Sequence, residues 1–155
     1  MDNPLFQSLL ADLMLAERAI FILEKSAKKS ALLLLEAKTR TLTDDDRETF
    51  EALTSRFGRA LDFMTQKLLR TIDRIELTDE GSVLDRVNRF KKRKILKDEI
   101  NYGLLKDLRN QIVHEYIIDE TDRVVRESLN YTPLLRDMLD KAKDYCASRG
   151  FIGPG

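Results

Sequence analysis

One histidine, one cysteine, no tryptophan and three prolines set the limits of this chain of 155 residues. A single cysteine, Cys146, excludes an intrachain disulfide and offers no thiolate cluster for a metal, which suits a reducing compartment and a packing role. A single histidine confines any imidazole proton transfer near neutral pH to His114. Prolines stand only at 4, 133 and 154, so the long interior carries no helix-breaking imide. Net charge is also missing: Lys+Arg and Asp+Glu each number 27, and any contact with RNA or DNA has to be local. No apolar run is long, since Leu32–Leu35 falls far short of a bilayer span. Asp2, Asp12 and Glu17 interrupt the N-terminal apolar stretch, and no basic start precedes it, against an export signal. The expectation is a cytoplasmic protein that does not engage a membrane.

Some chemistries are absent as well. Without a glycine-rich phosphate loop or a Gly-x-Ser-x-Gly elbow, nucleotide hydrolysis and esterase chemistry are disfavoured. The run Asp44-Asp45-Asp46 lacks the spaced oxygen ligands of a calcium loop and reads as the acidic start of a helix. No metal and no cofactor are expected.

What is present favours helix. Hydrophobic residues make up 43% and charged residues 35%, and Leu, Glu, Lys and Arg are abundant. Asn3-Pro4 looks like a cap with proline at the first helical position, opening a helix to about Glu36 with Leu9, Leu13, Ile20 and Leu23 on one face. Thr43 opens a second helix, where Phe50, Leu53, Phe57, Leu61, Met64, Leu68 and Ile72 form a stripe ending near Leu77. In that stripe Phe50, Phe57 and Met64 read as core rather than a base-stacking platform. Ser82 caps a short basic helix through Lys94, and a fourth helix runs from about Lys97 to Tyr116. Thr132-Pro133 opens the last, which reaches about Ser148. The prediction is all-α: an antiparallel bundle of about five helices, one domain over 1–149, with a flexible tail over 150–155.

The fourth helix carries the candidate chemistry. At about 100° per residue, Asn101, Leu104, Leu105, Leu108 and Ile112 gather on one side, with Val113 and Ile117 roughly opposite. Arg109, Asn110 and His114 flank that second stripe. Such a helix needs a second partner, from its own bundle or from another copy, and a symmetric dimer would bring two His114 and two Arg109 together. His114 is a proton-transfer group and Arg109 a permanent cation suited to phosphate oxygens, a pairing that suggests phosphodiester cleavage. Asn110, one turn before His114, could orient the imidazole. Tyr116 lies about 200° from His114 on an ideal helix and joins it only if the helix ends there. The same residues fit a capping histidine and a surface ion-pairing arginine, so spacing alone leaves both readings open. A separate line of Arg86, Arg89, Arg93 and Lys97 fits a phosphate-tracking stripe, an acidic partner's docking face, or a solvated helix face.

The run Arg109-Asn110-x-x-x-His114-x-Tyr116, late in a compact helical chain, resembles the signature of HEPN domains, and more narrowly of HepT-like toxins paired with minimal nucleotidyltransferases. Arg56-Phe57, Asp85-Arg86 and Tyr102 ahead of Leu108-Arg109-Asn110 are also similar to that family, and the likeness spans about residues 5 to 148. The resemblance implies a homodimeric, metal-independent endoribonuclease with Arg109, His114 and Asn110 as its site. It also implies that a partner nucleotidyltransferase silences the toxin by attaching AMP to Tyr116. A non-catalytic accessory or substrate-binding subunit of a nucleotidyltransferase is the alternative, and a purely structural helical dimer a third.

Overall fold

In the computed structural model, which describes residues 3–114 and 121–153, every regular element among the described residues is a helix. Five rods form the bundle: α1 (Pro4–Glu36), a continuous rod of α2 (Asp44–Asp62), a π-helical segment (Phe63–Leu68) and α3 (Leu69–Ile75), then α4 (Val83–Lys92), α5 (Tyr102–Val113) and α6 (Thr121–Ser148). Helix α1 packs on α2 and α6, and α5 packs on the same two. The expected all-α bundle is therefore present.

Local chemistry fixes the starts. Asn3 accepts from the Leu5 N–H at 2.9 Å, with Pro4 at the first helical position. Thr43 and Asp46 form a reciprocal capping box at the head of α2. Arg40 bridges Glu36 at 2.7 Å and Asp46 at 2.6 Å, stapling the end of α1 to the start of α2. That guanidinium and the Thr43 N–H together pull the Asp46 carboxyl down to about 2. Ser82 and Asp85 repeat the capping box on α4.

The stripe from Phe50 to Ile72 is buried throughout, and so are Leu9, Leu13, Ile20 and Leu23. Its regular spacing hides the π segment: one wide turn lets both Leu68 and Leu69 face the core. Cys146 is buried as expected, and desolvation pushes its thiol up to about 12.

Three boundaries differ from expectation. Pro133 does not open the last helix but lies inside α6, which begins at Thr121. An internal proline forfeits a backbone hydrogen bond and costs about 3 kcal/mol. The buried line Val124, Ser128, Leu135, Met138, Ala142 and Cys146 crosses it without a break and supplies the packing that offsets this. Helix α5 begins at Tyr102, not near Lys97, because Ile95 and Leu96 dive into the core first. Where a loose tail was expected from Gly150, that residue takes a left-handed turn (φ 74°) and Phe151 stacks on Phe6 at 5.8 Å.

The turn after α4 has the same hydrogen-bond pattern, with Lys94 N–H to Lys91 O at 3.0 Å and Ile95 N–H to Phe90 O at 3.0 Å. Its left-handed position is held by Lys94 at φ 62° rather than by glycine. Lys94→Gly is therefore expected to stabilise the fold by about 0.5–1 kcal/mol, since a Cβ is strained there and the lost Asp98 pair is exposed. Urea titration reads this directly, and a lowered midpoint would refute it.

Candidate functional site

Helix α5 is placed by its inner face. Leu105 and Leu108 are buried and Ile112 is half-buried, whereas Leu104 is 54% exposed and Asn101 is the exposed cap, so neither shares the inward face as expected. Ile112 lies over Gly58 of α2, where an added Cβ would sit 3.7 Å from its Cγ2. That close approach sets Arg109 above Asp62, one turn further along α2.

Arg109 is braced there. Its Nε lies 3.1 Å from both Asp62 carboxylate oxygens, and its Nη2 donates to Oδ2 at 2.9 Å. The carboxylate holds the guanidinium above its usual range and leaves Nη1 directed toward Asn110 Oδ1, 3.5 Å away. Arg109 and Asn110 line a cleft of about 400 Å³ between the π segment, α4 and α5. Arg70, Arg86 and Lys106 also line it, so four cationic side chains meet one carboxylate, Asp62, with Tyr102 on the same wall. Arg86 adds a buried Nε without a hydrogen-bond partner, 3.9 Å from Asp73. A cleft of this charge suits an anion such as a phosphate.

His114 caps the C-terminus of α5, exposed, its N–H donating to the Asn110 carbonyl at 3.0 Å. Among the described residues it neither lines the cleft nor hydrogen-bonds to Arg109. The Asn110 amide turns to Arg109 rather than to the imidazole. Arg109 and Asn110 are thus brought together, and His114 stands outside, next to the exposed Val113. Tyr116, the candidate AMP acceptor, lies outside the described residues.

The basic line separates into parts. Arg89 and Arg93 turn inward onto Asp73, at 3.0 and 2.5 Å, and Asp73 holds the Arg89 guanidinium above its usual range. Arg86 stands between Asp73 and the cleft. Lys97 is exposed beyond the end of α4 and does not continue its line. Asp62, Arg70 and Lys106 escaped the sequence reading. Nothing in the sequence couples Asp62 to an arginine 47 positions away, although an acid on the edge of the apolar stripe was a usable signal.

Among the described residues no three His, Cys, Asp or Glu side chains gather as a metal site would require, and no helix is long and apolar enough to cross a membrane. Comparisons of the chain with protein-family models, characterised proteins and solved structures find no match.

Proposed function

We propose that this chain is a HEPN-type, HepT-like endoribonuclease, the toxin of a toxin–antitoxin pair, acting as a cytoplasmic homodimer. The observation that carries the reading is the cationic cleft in which Asp62 braces Arg109 beside Asn110, on the same helix whose C-cap is the molecule's only histidine. Arg109 would bind the scissile phosphate and stabilise charge growing on its oxygens. One His114 takes the proton from the ribose 2′-hydroxyl as that oxygen attacks phosphorus. His114 of a second copy gives a proton to the departing 5′-oxygen, leaving a 2′,3′-cyclic phosphate and a 5′-hydroxyl. The exposure of both His114 and Val113 suits a second copy at that end of α5. The 2′-hydroxyl requirement restricts the substrate to RNA. An AMP group placed on Tyr116 by a nucleotidyltransferase would add negative charge and bulk near the site and block it.

One observation favours the accessory-subunit reading instead. The cleft is complete without His114, and its volume, charge and Tyr102 suit a nucleotide held but not cut.

Expression without a partner separates the two. The wild-type chain is expected to arrest bacterial growth and fragment total RNA, in lysates treated with EDTA as well. His114→Ala, at equal soluble level, is expected to do neither. Intact RNA with the wild type would give the accessory reading the lead.

A further inference from the structure

Helix α1 has two apolar faces. Leu9, Leu13, Ile20 and Leu23 are buried in the bundle. Leu10, Met14, Phe21, Leu32 and Leu35 are all exposed, from 49% at Leu10 to 74% at Met14. At about 100° per residue these five fall within a sector of about 60°, turned away from the core and running for about 37 Å. An aligned apolar strip of that length is the mark of an interface rather than of scattered surface residues.

Charge is sorted along the strip. One edge is acidic, with Glu17 and Glu24 tied to Arg136 and Lys143 of α6. The other edge is basic over its middle, with Arg18, Lys25 and Lys29, and ends at Glu36, which is tied to Arg40. Lys25 lies over the Phe21 ring at 5.0 Å, and none of the three has an ion-pair partner among the described residues. Within the strip, Met14, Phe21, Lys28 and Leu35 recur every seven residues.

We infer that this face packs against the same face of a second copy, the two α1 helices running parallel about a two-fold axis along their length. A parallel two-fold brings opposite edges together, so the acidic edge of each copy meets the basic edge of the other. An antiparallel two-fold would set acid against acid and base against base. The carboxylates of Glu17 and Glu24 keep lone pairs beyond those used by α6. Lys28 is the one polar residue of the seven-residue repeat, a type that fixes register and strand number at some cost in stability. Its stem can lie in the seam while the ammonium reaches the acidic edge. This surface is separate from the exposed end of α5, so with both contacts made the assembly is larger than a dimer, and the inference stands whether or not the chain cuts RNA.

Analytical ultracentrifugation of the full chain over a concentration series tests the surface. The wild type is expected to self-associate, and Phe21→Glu, at an exposed position that leaves the core intact, to weaken this by about tenfold or more. Val113→Glu, at the α5 end, is expected to leave the α1 contact in place. Self-association that ignores Phe21→Glu, or a wild type that stays monomeric, would overturn the inference. Orientation is read by mild oxidation of Leu10→Cys and Leu32→Cys, with native Cys146 buried and silent. Each variant alone should form a disulfide-linked dimer. Linkage only when the two variants are mixed would mean an antiparallel pair and overturn the arrangement.

Discussion

Asp73→Ala is expected to destabilise the fold by about 3–5 kcal/mol, the largest stability effect of any single substitution considered. Asp73 is 0% exposed at the end of the long second rod, and it accepts from Arg89 through Nε at 3.2 Å and Nη2 at 3.0 Å. Arg93 donates to it at 2.5 Å and continues to Glu76, which accepts from the Tyr145 hydroxyl of α6. One carboxylate thus joins α3, α4 and α6. Its removal leaves the Arg93 side chain, 7% exposed, without its closest counter-charge and with Glu76 only at 3.7 Å. Exposed pairs such as Lys94–Asp98 are worth far less, and Asp98→Ala is the control. Denaturant unfolding at neutral pH measures the difference, and a loss under about 1 kcal/mol would show that Glu76 and water suffice for the arginines. Charge reversal at Arg89 or Arg93 would for the same reason report unfolding before it reported any change in RNA binding. Arg70 and Lys106, exposed on the cleft, are the cations to alter for that purpose.

Much of this fold could be read in the sequence because its signals are local. Asn3-Pro4, Thr43 and Ser82 each place a helix start, and each start is found where expected. Signals failed where tertiary packing overrode them. Pro133 is a sound start signal in isolation, yet the buried line through Val124 and Ser128 extends α6 upstream of it. The π segment could not be seen because an apolar stripe records which side faces inward, not how many residues make the turn. For the site, Arg109, Asn110 and His114 stood out by residue type and spacing on one helix. Their environment did not, since Asp62, Arg70 and Arg86 belong to other rods, and only the packing of Ile112 against Gly58 brings Asp62 beneath Arg109.

The remaining large effect concerns that brace. If the cleft holds the scissile phosphate, Arg109→Ala should lower kcat/KM for RNA cleavage by about 10²–10³, the usual loss when one preorganised donor to a developing charge is removed. Arg109→Lys should recover little, because an ammonium cannot hold both Asp62 oxygens and still present a planar donor to the cleft. Asp62→Ala is the more informative variant. It leaves every cation in place and raises the net positive charge of the cleft, so charge alone would predict tighter RNA binding. Geometry predicts the opposite for catalysis, since Arg109 loses the three contacts of 2.9 to 3.1 Å that fix its plane. The expected result is a KM unchanged or lower with kcat reduced by about tenfold or more, a split that separates positioning from attraction. A kcat that rises or stays level in Asp62→Ala would mean that Asp62 restrains Arg109 in the resting protein. The Asp62–Arg109 pair would then be a latch that RNA has to open.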